Sequence, residues 1–371
     1  MKYNLSVPHL SNDKRELKYI AEAMDNRNIG PVGRFIAEFE YAVKKLTGAG
    51  YALGVINGTS ALHLALTAMG IGKGDDVMAS TFTYIGSAAP IMYVGANPVF
   101  IDSEGDTWNL DPNLLEDALK KRVKTPKALV LTHIYGQPAN MDDILMVCDR
   151  FGVRLVEDSA EAIGATFDGR QCGTFGTAGI FSFAGNKLLT AGGGGMLLTD
   201  DKHLIETASY FASNAREPMM HHEHNSIGYN YRLSNLHAAV GLAQMELANE
   251  RIAARRRIFE QYRKAFAGDS RITLMPQHHK AKGNRWLTAA LFEGVEPKML
   301  MVKLANQGIE TRPLWKPMHT QPVFKDADRY VSRVSEKLFE SGLCLPSCST
   351  MSDDDVRAVA AEVIGMLDII G

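Results

Sequence analysis

Short, unbroken apolar runs alternate with amphipathic stretches through the first two thirds of the chain. The runs at 51–55, 76–79, 97–101, 128–132, 154–157, 178–182 and 195–199 predict strands. Several are continuous in Val, Leu and Ile instead of alternating with polar residues, the pattern of a mostly parallel sheet covered on both faces. Residues 60–69 and 142–150 carry helical periodicity between strands. An α/β architecture follows, and such sheets take their ligands at the C-terminal ends of the strands. From residue 235 the pattern changes to one long charged helix ending at Phe266. This helix is expected to lead from a large domain, residues 1–245, into a smaller C-terminal domain, residues 246–371.

With 371 residues the chain can bury a full core. Lys and Arg total 40 against 42 Asp and Glu, a net charge of −2, so no overall basic field exists to hold nucleic acid or an anionic membrane. An anionic ligand has to be caught locally. The triplet Arg255-Arg256-Arg257 is flanked by Glu246, Glu250 and Glu260 at helical spacings and is expected to form a solvated, salt-bridged face. Cys148, Cys172, Cys344 and Cys348 show one Cys-x3-Cys spacing with no accompanying histidines, which fits reduced thiols in a cytoplasmic protein. His221-His222-Glu223-His224 is a run of adjacent ligand types, and adjacent residues rarely aim at one ion, so no metal site is expected. The first ten residues lack a signal-peptide core, and no later stretch reaches the roughly 18 apolar residues of a membrane span. A soluble, cytoplasmic protein without membrane insertion is expected.

Lys187 ends the run Phe181-Ser182-Phe183-Ala184-Gly185-Asn186-Lys187 and is followed by a glycine tract at 192–195, which reads as flexible. An amine boxed by aromatics suits one that sheds its proton and attacks a carbonyl, because desolvation favours the neutral form. Lys187 is the candidate Schiff-base lysine of a pyridoxal-phosphate enzyme, with a snorkelling strand-end lysine as the alternative. Asn57-Gly58-Thr59-Ser60-Ala61-Leu62 follows a predicted strand and opens an apolar helix. Backbone N–H groups at a helix start, with small hydroxyls, make a phosphate site, although Thr59 and Ser60 serve equally as an ordinary N-cap. Glu157-Asp158-Ser159-Ala160-Glu161 closes an apolar strand with three carboxylates. Asp158 can keep a pyridinium nitrogen protonated there, so that the ring draws charge from a neighbouring carbanion, with Glu161 near the ring hydroxyl. A Mg²⁺ site is the rival reading and has no phosphate-loop signature behind it. In Thr81-Phe82-Thr83-Tyr84 either aromatic suits stacking on a planar ring or a place in the core; in an extended segment both point the same way.

The order of Gly-Thr-Ser-Ala, Thr-Tyr, Glu-Asp-Ser-Ala-Glu-Ala, Phe-Ser-Phe-x-Gly-Asn-Lys and Gly-Tyr-Asn-Tyr-Arg-Leu-Ser-Asn resembles the DegT-type, pyridoxal-phosphate-dependent nucleotide-sugar aminotransferases, from about Ser6 to the C-terminus. The resemblance implies the aspartate-aminotransferase (type I) fold, with a mostly parallel large domain and a smaller C-terminal α+β domain. It also implies a homodimer whose two active sites are shared between subunits. By position it puts the phosphate on the backbone around Thr59 and Ser60 and on the Ser182 hydroxyl. Tyr84 matches the stacking aromatic, Asp158 the partner of the ring nitrogen, Glu161 the neighbour of the ring hydroxyl and Lys187 the Schiff-base lysine. Asn230 matches an asparagine that reaches the phosphate of the neighbouring subunit. Members with histidine in place of the lysine are dehydratases; Lys187 favours amino transfer.

A closer resemblance, through Leu131 to Gly136, Gly173 to Gly176, Asn284 to Leu287, Glu310 to Lys316 and Cys344 to Ser347, is to the bacterial 4-aminotransferases of the UDP-N-acetylbacillosamine pathway. It implies amino transfer from L-glutamate to C4 of a UDP-2-acetamido-2,6-dideoxy-4-ketohexose, in polysaccharide or other glycan biosynthesis. Perosamine synthases, which act on GDP-4-keto-6-deoxymannose, share much of the pattern, including Pro317-Met318-His319, and are the alternative beside a regulatory protein that keeps the fold without turnover. A diphosphate needs cations on a nearly neutral protein: Arg232, Arg312 and Lys316 are candidates, with Trp315 and His319 lining the sugar or base. Gly30, in the turn Asn28 to Gly33, sits where the family places the bound sugar, while a plain loop before a helix is the other reading.

Overall fold

The computed structural model describes residues 1–370. Seven strands form the core of one sheet: β1 (Tyr51–Val55), β2 (Asp76–Ser80), β3 (Asn97–Ile101), β4 (Ala128–Thr132), β5 (Arg154–Asp158), β6 (Ala178–Ser182) and β7 (Gly195–Thr199). Each apolar run becomes a strand, β2 and β5 each extending one residue beyond the expected end. Their order is β1-β7-β6-β5-β4-β2-β3, and strand Asp328–Tyr330 adds an edge beside β3. The pairings are parallel except at β7, which runs antiparallel to both β1 and β6. β4, continuous in apolar residues, is buried at every position, as a central strand covered on both faces must be.

Helices α1 (Arg15–Asp25), α2 (Arg34–Thr47), α3 (Gly58–Ala68) and α4 (Lys202–Ala212) belong to the layers around this sheet. α3 is apolar nearly all round, with Ala61, Leu62, Leu64, Ala65 and Leu66 buried, and packs against both α4 and β7. The stretch expected as one helix from 235 to 266 is two, α5 (Asn235–Met245) and α6 (Ala248–Ala265). No Pro or Gly marks the break. Glu246 at the joint is held by Arg15 Nη1 and Tyr19 Oη, each at 2.7 Å, a tertiary cause that the local pattern does not carry.

The basic triplet on α6 also departs from expectation. Arg255 is fully buried, Arg256 donates to the carbonyls of Gly164 and Gly283, and Arg257 pairs with Asp353. Glu246, Glu250 and Glu260 are matched with Arg15, Arg251 and Arg263 instead. The guanidinium forks serve loop carbonyls of the folded chain, so helical spacing gave the wrong partners.

Past α6, strands β8 (Ile272–Leu274), β9 (Thr288–Phe292), β10 (Arg312–Pro313) and β11 (Gly342–Leu345) form an antiparallel sheet in the order β8-β9-β11-β10. Helices Pro297–Asn306 and α7 (Asp353–Ile370) close a separate apolar core around Tyr262, Phe292, Leu300 and Val359. Two segments cross the expected division at 245/246. Asp328–Tyr330 joins the large sheet, and the N-terminal residues lie on the small one, where Tyr3 bridges Ile309 and the Ser347 N–H donates to the Leu5 carbonyl at 3.0 Å. All four cysteines are free and buried, and no helix among the described residues is long and apolar enough to cross a membrane.

Glu157 on β5 is fully buried and points to the side of the strand opposite Asp158. Its carboxylate accepts the N–H groups of Gly173, Phe175 and Gly176 at 2.7, 2.5 and 2.8 Å, pinning the loop that enters β6. His133 Nδ1 accepts from the Ala139 N–H at 3.1 Å, so its Nε2 carries the proton and donates to Glu157 at 2.9 Å. Glu157→Ala strands four donors, those of His133 and Gly173 buried and those of Phe175 and Gly176 partly so, at a cost on the order of 3–5 kcal/mol. The thermal unfolding midpoint of the unliganded protein is therefore expected to fall by roughly 5 °C, read by circular dichroism.

Candidate active site

A cavity of about 620 Å³ opens where β5 and β6 end, bounded by the start of α3, the loop after β6 and the edge of the small sheet. Asn57 starts α3: its Oδ1 accepts the Ser60 N–H at 2.7 Å and its carbonyl the Ala61 N–H at 3.1 Å. Gly58 and Thr59 of the first turn face the cavity together with Ser182. Space there is tight: a Cβ on Gly58 would lie 3.2 Å from Ser182 Cβ, and one on Gly86 3.0 Å from Thr59 Oγ1. The glycine tract after Lys187 closes a fixed turn, contrary to the flexibility read from sequence. Gly194 has φ +130°, the Phe183 N–H donates to its carbonyl at 2.9 Å, and a Cβ on Gly195 would meet the Asn57 backbone at 2.3 Å.

Lys187 and Glu161 meet in the cavity wall. Lys187 Nζ donates to Glu161 Oε1 at 2.9 Å and lies 4.2 Å from the centre of the Trp286 ring. The amine thus has a carboxylate on one side and an aromatic face on the other, where the sequence suggested an aromatic box. Glu161 Oε2 accepts the Tyr135 N–H at 3.0 Å; Tyr135 adopts φ 52°, and its hydroxyl accepts the Trp315 N–H at 2.9 Å. Burial pushes the Glu161 carboxyl up from its ordinary 4.5 to about 7, the neighbouring Lys187 opposing the shift. Asp158, at the end of β5, accepts from Ser87 Oγ at 2.5 Å and from the Ala160 N–H at 3.0 Å.

Of the residues singled out from sequence, Thr59, Tyr84, Asp158, Glu161, Ser182, Lys187, Arg312 and Trp315 line this cavity. Phe82 and Tyr84 part company: Phe82 is core, Tyr84 is 60 % exposed and 5.7 Å from Trp315. Ser60, Asn230, Arg232, Lys316, His319 and Gly30 lie outside it. Ser60 is buried with its N–H spent on the cap. His319 is buried between Thr81 Oγ1 at 2.7 Å and Glu336 at 3.2 Å, so its ring braces the wall from behind. Gly30 accepts the Asn235 N–H at 2.7 Å, tying its turn to α5. Asn230 and Lys316 are exposed, and Arg232 reaches Ser209 at 3.3 Å. His221 pairs with Glu223 at 2.8 Å and His224 with the Asn214 carbonyl at 3.0 Å.

With helix start, strand-end acid and partly buried lysine in one cavity, the chain matches the DegT/DnrJ/EryC1/StrS aminotransferase family over residues 10–364. The chain belongs to this family. It is 46% identical over 362 residues to EpsN of Bacillus subtilis (strain 168), described as a pyridoxal phosphate-dependent aminotransferase, covering 95% of this chain and 93% of that one. It is 38% identical to the GDP-perosamine synthase of Caulobacter vibrioides, covering 96% of each. The aminotransferase TlmJ from Streptoalloteichus hindustanus superposes with TM-score 0.92 at 28% identity over 99% of each chain. The fold is therefore the type I pyridoxal-phosphate fold, and the protein is a pyridoxal-phosphate-dependent sugar aminotransferase.

The cavity suits that cofactor on its own chemistry. It sets hydroxyls and a helix N-terminus for a phosphate, a strand-end carboxylate for a ring nitrogen and an amine for an aldehyde in one space. Sequence reasoning passed over four groups that the structure brings here: Ser87 on Asp158, Tyr135 on Glu161, Trp286 on Lys187, and Glu310, which pairs with Arg312 at 3.0 Å. The Tyr135, Trp286 and Glu310 stretches carried a signal, as part of a resemblance without a role, and Ser87 carried none.

Because the Glu161 carboxyl titrates higher in the folded chain than at its ordinary value, its stabilising contribution is fully present below pH 4.5 and is lost as pH rises through about 7. In the cofactor-free protein, wild type minus Glu161→Gln should lose about 3 kcal/mol of unfolding free energy between those limits. Paired denaturation curves at pH 4.5 and 7.5 check this.

Proposed function

We propose that the protein moves an amino group from L-glutamate to C4 of a UDP-2-acetamido-2,6-dideoxy-4-ketohexose, giving the UDP-4-amino-4,6-dideoxy-N-acetyl sugar and 2-oxoglutarate in the cytoplasm. The observation that carries amino transfer is Lys187, with its Nζ on Glu161 in the cavity that also holds Asp158. The resemblance outside the cofactor region, through Glu310 to Lys316 and Cys344 to Ser347, is what supports the UDP sugar. A GDP-4-keto-6-deoxymannose acceptor is the second reading, favoured by the 38% identity to GDP-perosamine synthase over nearly the whole chain.

Bound pyridoxal phosphate supplies an aldehyde to carry the amine and a ring to draw charge from the adjacent carbon. The chain's own groups do the rest. Lys187 Nζ would anchor the cofactor and, once freed by the donor amine, would take the proton from the donor α-carbon and hold it for return. Asp158, steadied by Ser87 and the Ala160 N–H, would keep a proton at the ring nitrogen. Glu161 takes up the charge of Lys187 and would neighbour the ring hydroxyl, while Thr59, Ser182 and the start of α3 would hold the phosphate. Tyr84 and Trp315 would flank the ring and the sugar, and Arg312 would meet the substrate's anionic group.

Asn230, Arg232 and Lys316 lie outside their own cavity, which supports a homodimer in which Asn230 completes the phosphate end of a second copy's site. Exposed Met219, Met220 and Ile227 in the same segment supply apolar surface for it.

Lys187→Ala should lower amino transfer by about 10³-fold or more and abolish the absorbance of the lysine-linked cofactor. Turnover that survives without added amines overturns the reading. The acceptor is tested by titrating the amine-charged enzyme with the UDP and GDP 4-keto sugars separately. Return of the lysine-linked absorbance with the UDP sugar alone is expected; return with the GDP sugar alone gives the second reading.

A further inference from the structure

We infer that Trp286 is the positioning residue for the freed amine of Lys187, its ring forming the wall of a slot whose other wall is the Glu161 carboxylate. The inference rests on Lys187 as the proton-carrying lysine. A lysine displaced from its cofactor regains four freely rotating side-chain bonds and a charge once it takes a proton. It returns the proton efficiently only if something keeps it close. In this chain Nζ lies 2.9 Å from Glu161 Oε1 and 4.2 Å from the Trp286 ring centre. A ring face attracts an ammonium and offers a neutral amine less, so the slot holds Lys187 best while it carries the proton.

Trp286 is fixed from three directions. Its indole Nε1–H donates to the Asn186 carbonyl at 3.0 Å, the residue next to Lys187. Its backbone N–H donates to Asn284 Oδ1 at 2.9 Å. Asn284 Nδ2 in turn donates to the carbonyls of Glu161 and Ile163 at 2.6 and 2.9 Å, so one buried amide spans the two walls of the slot. The Trp286 carbonyl accepts from Arg255 Nη1 at 3.0 Å.

Arg255 is fully buried and forms no ion pair among the described residues. Nη1 also donates to the Ser347 carbonyl, and Nη2 donates to Ser6 Oγ at 2.9 Å. The Ser6 hydroxyl then donates to the same Asn186 carbonyl at 2.8 Å. A guanidinium is costly to bury without a carboxylate, and here Nη1 and Nη2 are spent on the segments that frame the Lys187 turn while Nε has no partner among the described residues. That expenditure is unexplained by packing alone and is explained by the slot.

The test compares Trp286→Leu, Trp286→Phe and Lys187→Ala in the holoenzyme, with L-glutamate and its 2-deuterated form. Trp286→Leu is expected to lower kcat about tenfold, leave KM for glutamate within about twofold and raise the deuterium effect on kcat, because proton transfer becomes slower relative to other steps. Trp286→Phe, which keeps a ring face and loses the indole N–H, should recover most of kcat. In the cofactor-free proteins, acetic anhydride should label Lys187 at least twofold faster in Trp286→Leu than in wild type, read by peptide mass spectrometry. An unchanged deuterium effect together with unchanged labelling overturns the slot, even if activity falls, since that is the result of a structural role alone. Retained turnover in Lys187→Ala overturns the underlying reading instead, so the two failures are distinguishable.

Discussion

A carboxylate buried at the end of a parallel sheet is tolerated only where its lone pairs are met, and Glu161 is that group here. Its two oxygens take Lys187 and the Tyr135 N–H, while its carbonyl takes Asn284. Tyr135 carries the connection on to Trp315, and Asn284 to Trp286, both on the side of the cavity built by the small sheet. One acid therefore couples the strand ends of the large sheet to the opposite wall. The desolvation it suffers is what makes the arrangement specific, because a displaced partner leaves a charge with nowhere to go.

Three acids crowd the end of β5, and chain geometry gives each a different task. Strand alternation turns Glu157 and Asp158 to opposite sides, so Glu157 organises the loop entering β6 while Asp158 faces the cavity. Glu161 lies beyond the strand and reaches the lysine. From sequence they were a cluster; only the strand's direction separates a structural anchor from the two groups that face ligand.

The sheet was legible because strands covered on both faces must be apolar throughout, and β4 is the plainest case. The meeting of Lys187 and Asp158 in one cavity was legible because short motifs place them at or just past strands, whereas Tyr84 was separated from Phe82 only by the resemblance. What stayed hidden was tertiary. The break at Glu246 depends on Arg15 and Tyr19, the burial of Arg255 on carbonyls from Trp286 and Ser347, and the bracing role of His319 on Thr81 and Glu336. Partners more than 90 residues away in several of these cases leave no periodic trace. The glycine tract misled for a related reason: composition reports freedom, whereas the close approach of Gly195 to Asn57 turns that freedom into a fit.

The N-terminal strap has a consequence for the order in which the molecule is built. Leu5 and Ser6 line the cavity, yet the groups that hold them are Glu310, Ser347, Arg255 and Asn186. Leu5 and Ser6 precede all of these partners in the chain, and closing a loop of some 300 residues is slow and entropically costly. The large sheet can form while the strap is still loose. One wall of the catalytic chamber can thus be completed only after the chain some 300 residues further on has been made, so its closure waits on the small domain.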